Sequence, residues 1–282
     1  MALFQGIHYQ RLIRHRPRHN VVHVVTVDLL APGIEPLVTP ISRSGDNQQT
    51  EGEAISSAAT EAKAGDTMGS ISAQTTREFV EAFDIQLGVN ANYFYEFREK
   101  TPWNFYPHTD DPTKVVGEAI ARHQRYGSPR TPWPALCFQD SRHVKIVPEG
   151  TCPEQTAQAT AGRDLLVDGG QALTQFPNQS GDKPYSRVAM GVNQSGEKLW
   201  IVVIDGKQPL YSEGLLLDEL AVLFQELGVH RAIAVDGGGS STLVAMTKEG
   251  SVVLNAPTHT KWPMRERPVA NHLGFYALPV KL

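Results

Sequence analysis

The sequence predicts an α+β fold in which mixed β-sheets carry a few packed helices. Short apolar runs recur along the chain and predict strands. Two stretches have apolar residues at helical spacing, and they do not alternate with strands as regular βαβ units would. The 282 residues, 40% of them hydrophobic, suffice for one large domain or two small ones.

The first half predicts strands followed by a short helix. Residues 21–29 and 34–38 are β-rich and flank the Pro-Gly turn signal at residues 32–33, which predicts a hairpin. Thr75 and Glu78 have the spacing of a capping box, with an apolar face behind them. A short helix is therefore expected to start directly after Thr75.

The middle of the chain changes character. Residues 86–94 are typical of a buried strand that ends in the polar and aromatic string Asn-Ala-Asn-Tyr-Phe. In residues 95–134 prolines, aromatics and charges mix without a period, which predicts a long irregular insertion with a helix-like patch at residues 115–123. Loops of this length in a compact domain usually carry function or cover a site.

The second half predicts a hairpin, a helix and further strands. Residues 187–192 and 198–204 flank a polar turn, which favours the hairpin. Residues 216–227 have helical apolar spacing, with Ser212 as the expected cap and Gly228 just past the end. The first half shows a looser version of the same order, so an internal pseudo-repeat is a further hypothesis. Strands are expected at residues 232–235, 242–246 and 251–254.

The most specific local motif joins two of these strands. It consists of Asp236, Gly237, Gly238, Gly239, Ser240 and Ser241. Consecutive glycines cost backbone entropy that a plain turn does not need, and they let a ligand approach the main chain closely. Their free N–H groups can form a concave site for an anion. A tight strand connection without a ligand is the alternative interpretation, and no Gly-Lys-Ser/Thr follows as in a Walker loop.

Composition and charge limit the classes of binding partner that the sequence predicts. A formal net charge of −4 gives no electrostatic reason to expect nucleic acid or an anionic membrane. No apolar run is long enough for a transmembrane helix. No secretion signal is visible, so the expected location is cytoplasmic, or outside the cytoplasm where a signal was removed. Cys137 and Cys152 are expected to be free buried thiols.

No metal or cofactor is predicted. His108, Asp110 and Asp111 lie close together in a Pro-rich stretch, but they lack the helical His spacing of a zinc site and are interpreted as a polar loop. Binding of a divalent cation by carboxylates stays an open alternative. Taken alone, Arg187 is a charge at a strand end and Asp205 belongs to a turn, although Arg suits a phosphate if one is present.

At these motifs the chain resembles the phosphodiester glycosidases. The matching segments include residues 89–94, 187–191, 203–206, 234–243 and 266–271. The Asp-Gly-Gly-Gly-Ser-Ser run is the most specific of them. Asn and Tyr at positions 92–93 replace glycines that are usual in the family, which implies a narrower pocket floor. The resemblance implies a single domain over residues 1–282, with residues 95–134 as an insertion that influences which sugar or aglycone fits.

The resemblance also implies a reaction. It is hydrolysis of a sugar–phosphate diester, or of a glycan that contains one, by attack at the anomeric carbon, which releases a free sugar and a phosphomonoester. N-acetylglucosamine and exopolysaccharide metabolism are the implied context, without a cofactor. A metal-dependent phosphodiesterase that attacks phosphorus, and a non-catalytic carbohydrate- or phosphoglycan-binding protein, are the alternatives.

The candidate site residues follow from the same segments. The carboxylates expected to act as nucleophile or general base are Asp236, Asp205 and Glu266. The residues expected to bind phosphate or substrate are Asn90, Asn92, Arg187, Gly237, Gly238, Gly239, Ser240, Ser241, Arg267 and Asn271.

Overall fold

The computed structural model describes residues 1–41, 70–140, 142–176 and 181–280. Strands dominate this part of the chain, and it contains two α-helices, α1 at Thr76–Ala82 and α2 at Leu217–Glu226. The strands pair in antiparallel fashion within every sheet. The described part of the chain is therefore mostly β-sheet and contains no βαβ unit, and the internal pseudo-repeat stays a hypothesis.

Two large sheets form the body of the protein. The first has 8 strands, in the spatial order Ala2–Phe4, Ile7–Arg14, Asn20–Asp28, Lys198–Ile204, Arg187–Val192, Arg231–Ala234, Asp164–Asp168 and Gln171–Ala172. The second has 5 strands, in the order Gly250–Val253, Leu243–Thr247, Leu87–Asn90, His272–Tyr276 and Glu35–Val38.

Smaller sheets surround this body. A third sheet of 5 strands has the order Gln124–Gly127, Ala119–Ala121, Gln158–Ala161, Ala135–Phe138 and Val144–Val147. A 3-stranded sheet has the order Ile71–Ser72, Pro112–Val115 and Phe94–Tyr95. Two-stranded ribbons pair Arg98–Thr101 with Asn104–Tyr106, and Thr258–His259 with Trp262–Pro263.

The core lies between the large sheets, and a helix covers the outer face of each. In the strand Asn20–Asp28, Val25 and Val27 point into the core between the sheets, whereas Val22 and Val24 pack in the cluster that contains α2. Side chains alternate across a strand, so a strand buried on both faces must be apolar at successive positions. The helix α1 packs in the same way on the second sheet.

Several local predictions are confirmed. The Thr75 hydroxyl accepts a hydrogen bond from the Glu78 N–H, and the Glu78 carboxylate accepts one from the Thr75 N–H, so the capping box of α1 is complete. Gly228 follows α2 with φ of +73°, a conformation that favours glycine. The strands Arg187–Val192 and Lys198–Ile204 form the predicted hairpin.

Two other local predictions are wrong. The strands Asn20–Asp28 and Glu35–Val38 belong to different sheets, so the Pro-Gly turn carries the chain from one sheet to the other instead of closing a hairpin. Ser212 does not cap α2: its side chain is buried and its hydroxyl donates to the Asp205 carbonyl at 2.5 Å. Turn residues indicate where a strand ends, but they do not determine which sheet the next strand joins.

The segment 95–134 is more regular than the sequence predicts. It contributes several of the short strands given above, and the predicted helix-like patch at residues 115–123 contains the strand Ala119–Ala121 of the third sheet. Arg122 and His123 have φ of 48° and 65° and turn the chain into the next strand. Strands this short show too few alternations for a period to be visible in the sequence. Within the described residues, no helix is long and apolar enough to cross a membrane.

The cysteines form a disulfide and are not free thiols, which corrects the expectation from the sequence. Cys137 lies in the third sheet, and its Cα is 5.8 Å from that of Cys152. Both residues are buried beside Ile120 and Ala159. The sheet brings together two positions that the sequence separates by 15 residues. Disulfides are typical of proteins that fold in oxidising compartments.

Replacing both cysteines by Ser is expected to lower the free energy of unfolding by about 3 kcal/mol, the loop-closure value for a cross-link of this span. The separation of the cysteines along the chain is 15 residues. Urea unfolding of the double variant and of the wild type measures the difference. Treating the wild type with a reductant should give the same loss, and an unchanged midpoint in both experiments would contradict the expectation.

Candidate active site

The candidate site lies where strands of the two large sheets end next to each other. Asp236 follows the strand Arg231–Ala234 of the first sheet, and its N–H donates to the Ala91 carbonyl at 3.0 Å. Asn90, fully buried at the end of a strand of the second sheet, donates from its side chain to the Asp236 carbonyl at 2.6 Å. Its Oδ1 accepts from the Thr242 N–H at 3.0 Å. Asn90 thus holds both ends of the glycine loop through its side-chain amide.

The glycine loop forms a short 3-10 turn, Gly238–Ser240. The Gly238 N–H donates to the Ser186 carbonyl at 2.8 Å, and the Ser240 N–H donates to the Gly237 carbonyl at 3.2 Å. The Ser241 N–H donates to the Gly238 carbonyl at 3.2 Å. These three amides are occupied by the main chain, so they do not form the anion cradle that the sequence suggests.

The glycines are needed for close packing around the loop. A Cβ on Gly237 would lie 2.8 Å from the Ser186 carbonyl oxygen. Gly238 has φ of +65°, and a Cβ there would lie 2.5 Å from the Tyr185 ring. A Cβ on Gly239 would overlap the Arg267 guanidinium. Because glycine lacks a Cβ, the loop can approach an aromatic ring and a cation that flank the site.

Replacing Gly239 by Ala is expected to displace the Arg267 guanidinium. This displacement should lower kcat/KM by about tenfold to a hundredfold, the usual cost of misplacing a group in an active site. Gly239 does not have a positive φ, so the fold should tolerate the methyl group. Steady-state kinetics and thermal unfolding of the variant measure both effects. Val222→Ala, at an exposed position on α2, is the control for activity. Wild-type kinetics for Gly239→Ala would contradict the assignment.

Asp236 and Arg187 line one cleft of about 430 Å³, which we call the Asp236 cleft. The sequence predicts this pair together, but most of the other lining residues were not among its candidates. The lining consists of Tyr93, Phe94, Phe97, Arg163, Gly181, Asp182, Lys183, Tyr185, Arg187, Ala234, Val235, Asp236, Gly237 and Arg267. Cations outnumber the carboxylates in this lining, which suits an anionic ligand.

Asp236 is the carboxylate with the most perturbed environment in the cleft. Burial raises its pKa from 3.8 to about 6, because a charged carboxylate loses its hydration there. A hydrogen bond from Ser240, the charges of Arg267 and Arg163, and the Gly237 N–H partly oppose this rise. Above about pH 6 the side chain is ionised and able to act as a nucleophile or a base.

Arg267 is held rigidly beside the glycine loop. Its Nη1 donates to Ser240 Oγ at 3.1 Å, its Nε to His259 Nδ1 at 3.1 Å, and its Nη2 to the Glu99 carboxylate at 2.6 Å. Its guanidinium also lies 4.5 Å from the centre of the Phe97 ring. Burial and the neighbouring cations lower the pKa of His259 to about 3, so the neutral ring accepts the hydrogen bond. This arrangement preorganises a cation at the wall of the cleft.

Arg187 is fixed by the segment that precedes its strand. Its Nη2 contacts the Asp182 carboxylate and donates to the Lys183 carbonyl at 3.1 Å, and its Nε donates to the Leu215 carbonyl at 3.1 Å. Asp182 also accepts from the Leu217 N–H at 2.7 Å, at the start of α2. Arg187 is therefore partly neutralised, and it contributes less positive charge to the cleft than its sequence position suggests.

Asp205, a predicted catalytic carboxylate, is fully buried and hydrogen-bonded on both oxygens. His23 and Tyr211 each contact its Oδ2 at 3.0 Å, and the Ala256 N–H donates to its Oδ1 at 2.9 Å. Asn255 donates to the same Oδ1 at 3.2 Å. Burial alone would raise the pKa of Asp205, but the hydrogen bonds outweigh burial and the pKa lies below its usual value. Asp205 does not line the Asp236 cleft, and its carboxylate instead binds His23, Tyr211 and the segment 255–256.

Glu266, the third predicted carboxylate, also lies outside the lining of the cleft. Its Oε2 accepts from the Arg77 N–H in the first turn of α1, and its Oε1 accepts from Arg77 Nε, each at 3.1 Å. Burial raises its pKa, and the Arg77 contacts oppose the rise. This position suits a carboxylate that stabilises a helix N-terminus.

Asn92 and Asn271 are buried and bind each other. The Asn92 N–H donates to Asn271 Oδ1 at 2.9 Å, and the Asn271 amide donates back to Asn92 Oδ1 at 2.9 Å. Asn92 also donates to the carbonyls of Val116 and Glu118, each at 3.0 Å. Both side chains therefore connect the second sheet to the segment that leads into the third sheet.

Sequence reasoning missed Arg163 and Tyr93 among the site residues. The Arg163 guanidinium lies 5.6 Å from the centre of the Tyr93 ring, and its Nε donates to the Asp164 carboxylate at 2.9 Å. Burial and the nearby charge of Asp236 raise the pKa of Tyr93, so the phenol stays neutral. Tyr93 directly follows the Asn string, which was a usable signal, whereas Arg163 stood in no motif. Among the described residues no three His, Cys, Asp or Glu side chains form a cluster that could hold a metal ion.

Comparison with known proteins defines the class. The sequence profile of the phosphodiester glycosidase family matches residues 83–276, which is most of the chain and contains the glycine loop and every lining residue of the Asp236 cleft. The chain therefore belongs to the phosphodiester glycosidase family. No curated protein sequence matches it at a significant level.

Solved structures share the fold at low sequence identity. The catalytic domain of zebrafish N-acetylglucosamine-1-phosphodiester α-N-acetylglucosaminidase, auto-inhibited by its pro-peptide, is 16% identical with a TM-score of 0.60, over 96% of this chain and 82% of that one. A hypothetical protein from Synechocystis is 12% identical with a TM-score of 0.56, over 96% and 62% of the two chains. A putative exported protein from Burkholderia pseudomallei is 15% identical with a TM-score of 0.56, over 92% and 74%.

Proposed function

We propose that the protein hydrolyses a sugar–phosphate diester at the anomeric carbon. The observation that carries the proposal is the desolvated Asp236 carboxylate in a cation-rich cleft beside the rigidly held Arg267. N-acetylglucosamine is the first sugar to test, because the zebrafish relative is named for that activity.

In the proposed reaction the bond between the anomeric carbon and the phosphate oxygen breaks. Its electron pair stays on the phosphate, which leaves as a phosphomonoester. Asp236 either attacks the anomeric carbon to form a glycosyl–enzyme that water then hydrolyses, or takes a proton from an attacking water. The net change consumes one water and produces a free sugar. The departing phosphate is already anionic, so it needs stabilisation more than protonation.

Arg267 is the proposed phosphate ligand, because its guanidinium lies at the wall of the cleft and is fixed by Ser240 and Glu99. A planar guanidinium donates to a phosphate in bidentate fashion. Arg187 and Lys183 are additional cations on the same lining and can contact the non-bridging oxygens. Asp205, Glu266, Asn90, Asn92 and Asn271 are proposed to support this site without contacting the substrate.

Hydrolysis in ¹⁸O-water tests which bond breaks. If water or Asp236 attacks the anomeric carbon, the label should appear on the sugar hydroxyl, and the released phosphomonoester should be unlabelled. A phosphodiesterase that attacks phosphorus would place the label on the phosphate. Mass spectrometry of both products, with UDP-N-acetylglucosamine and a synthetic N-acetylglucosamine phosphodiester as substrates, separates the two. A protein that binds both compounds without turnover would support the binding-protein alternative.

A further inference from the structure

A second, larger cavity adjoins the Asp236 cleft. Its volume is about 780 Å³, and we call it the Lys207 pocket. Phe97, Tyr185 and Arg267 line both cavities, so the two meet along this wall. The rest of the lining consists of Glu99, Lys207, Gln208, Pro209, Tyr211, Gly239, Thr258, Lys261 and Pro263.

The position of the two groups proposed for the reaction orients a substrate across this boundary. Asp236 lines the first cavity alone, whereas Arg267 lines both. A carboxylate that attacks or activates water at the anomeric carbon approaches opposite the departing oxygen. The sugar then lies on the Asp236 side, the phosphate lies at Arg267, and the aglycone beyond the phosphate extends into the Lys207 pocket.

The Lys207 pocket is electropositive and partly aromatic. The Lys207 Nζ lies 3.6 Å from the centre of the Tyr185 ring. Neither Lys207 nor Lys261 forms an ion pair within the part of the chain that the structure describes. Glu99, the carboxylate of this lining, is bonded to Arg267 at 2.6 Å. Two ammonium groups without a carboxylate partner favour an anionic occupant.

A buried hydrogen-bond network fixes the walls of this pocket. Asp205 accepts from the Tyr211 hydroxyl at 3.0 Å and from the Ala256 N–H at 2.9 Å. Gln208 donates from its side chain to the Ala256 carbonyl at 2.8 Å. His23 contacts Asp205 Oδ2 through Nε2 at 3.0 Å. The pocket is therefore preformed and does not need to be built by the ligand.

We infer that the Lys207 pocket is the aglycone subsite and that it selects aglycones with a second anionic group beyond the scissile phosphate. A nucleoside diphosphate or another phosphorylated alcohol has this chemistry. The inference rests on the proposed function, because that function sets the orientation of the substrate across the two cavities. The charge preference of the pocket can nevertheless be measured without turnover.

The test measures binding of two phosphorylated leaving groups by isothermal calorimetry. Methyl phosphate carries one phosphate, and uridine diphosphate carries a second phosphate beyond the first. Wild type is expected to bind uridine diphosphate more tightly than methyl phosphate by about tenfold or more, a difference typical of added charge-assisted contacts. The Lys207→Gln, Lys261→Gln double variant should lose about tenfold for uridine diphosphate and less than about twofold for methyl phosphate.

Lys248→Gln is the matched control, because Lys248 is an exposed lysine in a turn outside both cavities. Thermal unfolding of each variant confirms that it is folded. The inference is overturned if wild type does not prefer uridine diphosphate, or if the double variant weakens both probes equally or neither. These results do not depend on the labelling experiment, where label on the phosphate would instead end the proposed reaction.

Discussion

Asp236→Asn is expected to lower kcat by about three powers of ten or more, since it removes the carboxylate that acts in the transition state. Asn keeps the size of the side chain and its ability to accept from Ser240 and the Gly237 N–H. Substrate affinity should therefore change much less than turnover. Steady-state kinetics with a sugar phosphodiester measure both parameters, and wild-type turnover by the folded variant would remove Asp236 from the mechanism.

The same substitution is expected to stabilise the folded protein at neutral pH. The pKa of Asp236 rises from 3.8 to about 6 on folding, so folding favours its protonated form. The wild type therefore loses stability as pH rises between these two values, and above about pH 6 the loss is complete. Asn carries no charge, so the free energy of unfolding at pH 7.5 should rise by about 1 to 3 kcal/mol.

Urea unfolding of both proteins at pH 4 and pH 7.5 tests this expectation, with a smaller difference at pH 4. Asp205→Asn is the matched control: its pKa is lowered on folding, so removal of that charge should destabilise the protein at pH 7.5. Wild-type kcat/KM should also fall below about pH 6, where Asp236 becomes protonated. A pH profile that is flat through this range would contradict the role of Asp236.

Arg267→Ala is expected to lower kcat/KM by about a hundredfold to a thousandfold, the usual cost of losing a charged group that stabilises the transition state. The guanidinium lies between the two cavities, and its removal leaves the Glu99 carboxylate without its cation. Both effects weaken phosphate binding. Inhibition by inorganic phosphate should weaken in parallel, and this readout distinguishes lost phosphate recognition from a general loss of activity.

Arg265→Ala is the control for Arg267→Ala. Arg265 lies two positions away and donates to the Pro102 carbonyl at 2.7 Å, but it lines neither cavity. Its loss should leave kinetics within about threefold of wild type, the range of changes remote from a site. Arg267→Lys should recover part of the activity, because Lys keeps the charge but not the fork geometry. Equal losses for Arg265→Ala and Arg267→Ala would refute a specific phosphate contact.

The site residues show which parts of a candidate site can be predicted from sequence. The glycine loop was predictable from the sequence, because three successive glycines indicate a backbone that needs close approach or unusual dihedral angles. Arg187 and Arg267 were predictable because they lie in segments that resemble the family. The roles of Asp205 and Glu266 could not be predicted from the sequence. A carboxylate in a motif gives the same sequence pattern whether it faces a cleft or a buried partner. Only the fold brings His23 and Tyr211 to Asp205, and Arg77 to Glu266.

Features that depend on neighbouring residues were predictable from the sequence: the capping box of α1, the glycine after α2 and the hairpin around residues 193–197. These features involve bonds between residues a few positions apart, so their energies are encoded locally. Tertiary contacts determine which sheet each strand joins, that the two cysteines meet, and which charges have no ion-pair partner in the described part of the cavities. Those outcomes depend on contacts between residues far apart in the chain, and no local pattern carries that information.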